Sequence, residues 1–65
     1  MTIDEIKSKK KPGDIKTAGE MIGITQGNAW VALHRPGSKH HERIVNVLTK
    51  IIEGREKIAN EEQNL

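Results

Sequence analysis

Several side chains in the middle of the chain have the chemistry of base recognition. Gln26 and Asn28 carry amides, which both donate and accept hydrogen bonds, and His34 carries an imidazole. A glutamine amide can form two hydrogen bonds with adenine, so Gln26 is the side chain best suited to recognise a base. Trp30 and Val31 add apolar surface among these polar groups. The residue types therefore favour contact with nucleic acid along this stretch.

A second set of residues has the chemistry of phosphate binding. Its members are basic or hydroxyl side chains, and they are Thr25, Arg35, Ser38, Lys39 and Arg43. The last four surround the predicted start of a helix, where free backbone N–H groups and the positive end of the helix dipole favour anions. We predict that this set contacts phosphate; the alternative is that its charges are only solvated.

The sequence indicates neither a catalytic site nor a metal site. The three histidines, His34, His40 and His41, lack a familiar ligand spacing, and the chain contains no cysteine. No Ser/His/Asp arrangement, glycine-rich phosphate loop or close carboxylate pair stands out. We therefore predict that the protein is not an enzyme, and we expect no cofactor, no metal and no small-molecule substrate.

Two short helices joined by a sharp turn must position these side chains. The first is predicted to begin after Asp14 and the second after Thr25, because both residues are favourable N-caps. Gly23 falls where the first helix ends and tolerates the left-handed conformation that terminates helices. Gly19 gives the second helix room to cross closely. Ile24, the apolar residue of the turn, is predicted to point inward.

The second helix is predicted to bury Ala29, Ala32 and Leu33, which have i, i+3, i+4 spacing. A small residue, three spacers, a glycine, an apolar residue, a cap and then further apolar residues form the helix-turn-helix pattern. Residues 15–35 thus resemble the Cro-like, phage repressor type of helix-turn-helix domain, particularly small bacterial and phage regulators with one long final helix. In that family the second helix of the motif enters the major groove of DNA.

The resemblance implies that the second helix recognises bases with the side opposite its buried residues. The expected base-contacting set is Gln26, Gly27, Asn28, Trp30, Val31 and His34. Asn28 lies nearer the flank, so phosphate is an alternative partner for it. For Trp30 the alternative is that the indole packs sideways onto the core. The helix departs from the family in one respect, because residues 26–34 contain no Lys or Arg.

A short helix is predicted before the motif. Thr2 and Glu5 have the spacing of a capping box, and Glu5 is placed to pair with Lys9 at i, i+4. Lysines at positions 9–11 end this helix, and Pro12 stops it. The lysines are either an arm that contacts phosphate or solvated charges at the negative end of the helix dipole.

A long helix is predicted after the motif, with Ser38 as its N-cap. Its apolar residues form one stripe, and the stripe comprises Ile44, Leu48, Ile51, Ile52 and Ile58. Glu53 and Lys57 are spaced to pair on its exposed side. The domain is predicted to cover residues 1–60, and residues 61–65 are predicted to be a frayed polar tail.

Composition is consistent with one small basic domain. The 65 residues are 34% apolar with no Phe or Tyr, so the core must come from Ile, Val, Leu and Ala. Residues 1–43 contain eight basic and five acidic residues, whereas residues 44–65 contain three and four. The half that contains the motif is therefore the basic half. No apolar run is long enough for a membrane span or a signal peptide, and we expect a cytoplasmic protein.

Together these features predict an all-α, four-helix domain of the lambda-repressor-like type, with a helix-turn-helix and a long C-terminal helix. The expected function is sequence-specific binding of double-stranded DNA by a small transcriptional regulator. A homodimer through the last helix is expected, by way of Val45, Val47 and Ile52, because one module spans few base pairs. The alternatives are a protein-interaction module, adaptor or antitoxin-like, and an excisionase-like architectural DNA-binding protein.

Overall fold

The computed structural model describes residues 1–63, which form α-helices and connecting turns without any strand. In chain order the helices of this part are α1 (Ile3–Lys9), α2 (Asp14–Ile22), α3 (Gln26–His34) and α4 (His41–Gln63). The all-α, four-helix class predicted from the sequence is confirmed. No helix in the described range is long and apolar enough to cross a membrane.

Helix α1 begins with the predicted capping box. Thr2 Oγ1 accepts from the Glu5 N–H at 3.2 Å, and the Glu5 carboxylate accepts from the Thr2 N–H at 3.4 Å. Ile6, which is fully buried, packs α1 against α4. The predicted Glu5–Lys9 pair does not form, because Glu5 is engaged at the helix start and Lys9 Nζ lies 3.1 Å from Glu56 Oε1 on α4.

The sequence predicted Asp14 as the N-cap of α2, and this prediction is wrong. Gly13 holds that position, with φ 91°. The Asp14 carboxylate accepts from the Lys11 N–H at 2.8 Å and from Arg55 Nη1 and Nη2 at 3.1 and 3.0 Å. Arg55 Nη2 also donates to the Lys9 carbonyl at 3.3 Å. These hydrogen bonds from Arg55 hold the pKa of Asp14 below its ordinary value, although burial opposes them. Asp14 therefore joins α2 to α4 instead of capping a helix.

The turn between α2 and α3 has the predicted local structure. Gly23 adopts the left-handed conformation, with φ 80°, and the Ile24 N–H donates to the Gly19 carbonyl at 2.9 Å. Thr25 caps α3, accepting from the Asn28 N–H at 3.2 Å. A Cβ added to Gly19 would lie only 3.1 Å from the Ile24 carbonyl oxygen, so a larger residue would push the turn away from α2.

The core lies between α4 and the other three helices. Its fully buried residues are Ile6, Ala18, Ala29, Ala32, Leu33, Ile44, Leu48 and Ile52. Ile24 packs against this cluster from the turn, as predicted. The predicted apolar stripe of α4 is confirmed as far as Ile52, but Ile58 is 60% exposed and does not belong to it. Every side chain from Glu56 to Glu62 is exposed because α4 extends beyond the helices that cover its first half.

The start of α4 differs from the prediction. The helix starts at His41 rather than directly after Ser38, because residues 35–40 form turns: the Ser38 N–H donates to the Arg35 carbonyl at 2.9 Å, and the His41 N–H to the Ser38 carbonyl at 3.1 Å. Ser38 therefore does not cap α4. At its other end the helix continues to Gln63, and the fraying of residues 61–65 stays a prediction. Residues 64–65 lie outside the described residues.

Candidate nucleic-acid interface

Helix α3 separates its side chains into a buried side and an outer side. Ala29, Ala32 and Leu33 are at most 1% exposed, as predicted. The six residues predicted to contact bases all lie outside the core, and they are Gln26, Gly27, Asn28, Trp30, Val31 and, half-buried, His34. The capped first turn and the buried residues hold the helix in place, so this outer face is presented by a fixed backbone.

Trp30 is not one of the buried core residues. Its side chain is 52% exposed, so about half of the indole surface faces solvent. The indole stacks on the imidazole of His34, with ring centroids 4.1 Å apart and planes inclined by 20°. The two rings are four residues apart, where helical side chains are neighbours. We call this exposed pair, Trp30 and His34, the aromatic ledge.

The His34 ring is fixed by a second contact. Its Nδ1 lies 2.9 Å from the Trp30 carbonyl oxygen. Because a carbonyl oxygen only accepts, Nδ1 must carry the hydrogen of this bond. One hydrogen bond and one stacking contact therefore set both the tautomer and the plane of the imidazole.

The amide groups of the outer face are uncommitted. Among the described residues neither the Gln26 nor the Asn28 side-chain amide forms a hydrogen bond, although the Asn28 backbone N–H is used by Thr25. Gly27, between them, is exposed, and a Cβ added there would meet no atom within 4 Å. Packing within the protein thus gives no reason for a glycine at this position.

The predicted phosphate-contacting residues divide into two places. Arg35, Ser38 and Lys39 lie in the turns after α3, and Arg43 lies in the first turn of α4. Thr25 lies at the opposite end of α3, about 13 Å away along the helix axis, and its hydroxyl already accepts the capping hydrogen bond. Four of the five residues are therefore brought to one end of the outer face.

The cations at that end have no intramolecular partner in the described part of the chain. Arg35, Lys39 and Arg43 are exposed, and no carboxylate lies within ion-pair distance of them. Arg55 and Lys9, by contrast, are paired with Asp14 and Glu56. Three cations without an ion pair in the described residues thus lie in the turns after α3 and in the first turn of α4.

His41 joins the start of α4, which carries Arg43, to α3, which carries the predicted base-contacting residues. The sequence did not predict this role. Its Nδ1 donates to the Ala32 carbonyl at 2.7 Å, which ties the start of α4 to the last turn of α3. Arg43 lies two residues further along α4, so this bond helps to set its position relative to α3. We call the residues at this end, Arg35, Ser38, Lys39 and Arg43, the basic flank. A histidine beside a helix start was the only signal in the sequence.

Residues 1–63 enclose no pocket, and they contain no group of three or more His, Asp or Glu residues that could hold a metal ion. Comparison with known proteins adds no relative: no family model, no curated protein and no solved structure matches the chain.

Proposed function

We propose that the protein is a sequence-specific binder of double-stranded DNA that acts in the cytoplasm as a small transcriptional regulator. In this proposal α2 and α3 are a helix-turn-helix, and the outer face of α3 lies in the major groove. The observation that carries the proposal is that three cations without an ion pair, Arg35, Lys39 and Arg43, follow closely after α3 in the chain, while the outer side of α3 carries amides without hydrogen bonds and the aromatic ledge.

The dimensions of α3 suit this placement. An α-helix with its side chains is about 10–12 Å across, and the major groove of B-DNA is about 12 Å wide, so α3 can lie lengthwise in the groove. Gln26, in the first turn, would pair with an adenine through its amide. The basic flank would bind phosphates, which supplies affinity and fixes the register in which α3 meets the bases.

Salt dependence tests the proposal. A fluorescently labelled duplex of random sequence is titrated with the protein at low and moderate salt, and its anisotropy is followed together with Trp30 emission. Binding should weaken steeply as salt rises, because each phosphate contact releases counterions. The emission of Trp30 should change on binding, since the indole is exposed on the contact face. Absence of binding at low salt would reject the proposal.

A protein-interaction module, adaptor or antitoxin-like, is the second candidate. One observation favours it: Trp30 is 52% exposed on a helix without Lys or Arg, and tryptophan is enriched at the centres of protein interfaces. An excisionase-like architectural protein would share the salt dependence but would also bend the duplex. Energy transfer between dyes on the two duplex ends distinguishes this role, because the distance between the ends shortens on bending.

The same proposal includes a homodimer through α4, but its contact surface differs from the one that the sequence predicted. Ile52, predicted at this interface, is 1% exposed and lies in the core, and Val45 and Val47 are half-buried. Ile58 is 60% exposed on the projecting part of α4 and is the remaining large apolar residue there. Light scattering at tens of micromolar protein should give twice the chain mass, and Ile58→Glu should halve it. A monomer mass for the unaltered protein would reject the dimer.

A further inference from the structure

The hydrogen-bonding capacity of His34 is restricted in a way that bears on base selection. With Nδ1–H donated to the Trp30 carbonyl at 2.9 Å, a neutral imidazole has only Nε2 left, and Nε2 is then an acceptor. The stacking on Trp30, at 4.1 Å between centroids, and the hydrogen bond of Nδ1 both favour this orientation of the ring. The neutral side chain therefore offers an acceptor and no donor.

Nε2 of His34 is not fully enclosed by the protein. Within residues 1–63 no buried side-chain nitrogen or oxygen lacks a hydrogen-bond partner. Nε2 has no partner in that part of the chain, so it cannot be buried. The ring lies in the last turn of α3, about 12 Å along the axis from Gln26, so both side chains can meet bases when α3 lies lengthwise in the groove.

We propose that His34 is a specificity-determining residue that selects adenine or cytosine on one DNA strand through Nε2. The inference rests on the proposed function, because it requires α3 to lie in the major groove. Adenine N6 and cytosine N4 are the amino groups that the major groove presents as donors. Guanine presents O6 and N7 there, and thymine presents O4, all of which are acceptors. An acceptor facing an acceptor leaves both without a hydrogen, so guanine and thymine are disfavoured.

Because the aromatic ledge holds the His34 ring, His34 should discriminate among bases more strongly than Gln26 does. The Gln26 amide has both a donor and an acceptor and is free to rotate, because it has no partner among the described residues. His34 is held by two contacts to Trp30, and little further side-chain entropy is lost when it meets a base. Trp30 therefore acts as the positioning residue for His34.

The test is selection of bound sequences from a randomised duplex library with the unaltered protein, His34→Phe and His34→Lys. The pH is about 8.5, above the range in which histidine side chains generally change charge. The phenyl ring can still stack on Trp30 but has neither nitrogen. The unaltered protein should select a site with one position restricted to adenine or cytosine on one strand. Guanine or thymine there should weaken binding by roughly three- to tenfold, the range for one net hydrogen bond.

The two variants should change that position and no other. His34→Phe should lose the restriction, with all four bases bound within about twofold, a difference below that of one net hydrogen bond. His34→Lys has donors only and should shift the preference to guanine, which lysine contacts at O6 and N7. Circular dichroism of each variant establishes that the fold is intact.

The outcomes separate the inference from the proposed function. If no sequence is enriched by any of the three proteins, sequence-specific DNA binding itself is refuted. If the selected site is the same for the unaltered protein and His34→Phe, only the role of His34 is refuted. Equal weakening on all sequences would place His34 at a phosphate and would also overturn the inference. Nitrogen NMR of the free protein should show hydrogen on Nδ1; hydrogen on Nε2 would remove the premise.

Discussion

Replacement of Gly27 by alanine should stabilise the protein and weaken DNA binding at the same time. Gly27 is in the first turn of α3, its φ is not positive, and an added Cβ would have no atom within 4 Å. Alanine is favoured over glycine in helices by roughly 1 kcal/mol, and compatible Gly→Ala changes stabilise by about 0.4–1 kcal/mol. For a domain of this size that gain raises Tm by roughly 2–8 °C.

The effect on binding follows from the position of Gly27 between the two free amides. If the α3 backbone approaches the DNA here, a methyl group must displace the helix or the bases. Inserting a methyl into a close-packed contact typically costs about 1–3 kcal/mol, which is roughly a 5- to 150-fold loss of affinity. Gln26 and Asn28 remain in place, so the loss would be due to the added methyl alone.

Gly54→Ala is the matched control for Gly27→Ala. Gly54 is also helical, exposed and without any atom within 4 Å of an added Cβ, but it lies in α4. It should give a similar rise in Tm by circular dichroism and unchanged affinity by anisotropy. Because Gly54 is one turn before Ile58, the mass of each variant is measured as well. Gly27→Ala binding with unaltered affinity would refute close approach at this position, and a fall in its Tm would refute the packing argument.

Three further outcomes are expected from the contacts described above. Leu33→Ala should destabilise the protein by about 2–5 kcal/mol, since the side chain is fully buried, whereas Val31→Ala should change stability by less than about 0.5 kcal/mol; chemical unfolding measures both. Asp14→Asn should cost on the order of 1 kcal/mol. Because the pKa of Asp14 is lowered on folding, its contribution is present above the ordinary value of 3.8 and is lost as the pH falls through the folded pKa, so the variant and the unaltered protein should converge in acid. Lys39→Gln should lower the slope of log K against log salt by about 0.9, and Lys57→Gln should leave it unchanged.

The features that the sequence predicted correctly depend on residues close together in the chain. The Thr2 and Thr25 caps and the left-handed Gly23 are determined within about four residues, so local chemistry was sufficient to find them. The buried side of α3 follows from its apolar spacing in the same way. The start of α4 was misplaced because Ser38 is a good cap by type, whereas the turns of residues 35–40 leave His41 as the first helical residue.

Contacts between distant parts of the chain were not predictable in this way. Asp14 is of a residue type that is favoured at helix N-caps, but an arginine 41 residues away binds both of its carboxylate oxygens and determines its role. Lys9 likewise had a local partner at the right spacing and pairs with α4 instead. For Trp30 the sequence allowed an indole that faces DNA or one that packs on the core. Stacking on His34 offers the indole a contact outside the core. Side chains with several possible partners are thus the ones for which spacing alone was insufficient.

The absence of Lys and Arg from residues 26–34 has a consequence for how affinity and specificity are divided. In the proposed complex the face that meets bases is formed by neutral amides, the methyl groups of Val31 and the aromatic ledge. The charges that meet phosphates lie outside α3, in the turns and at the start of α4. Counterion release, and with it most of the salt dependence, therefore belongs to the flank. Exchanges of one neutral side chain for another on α3 should alter which sequence is bound while leaving the salt slope constant, and loss of a charge in the flank should lower the slope without altering the sequence.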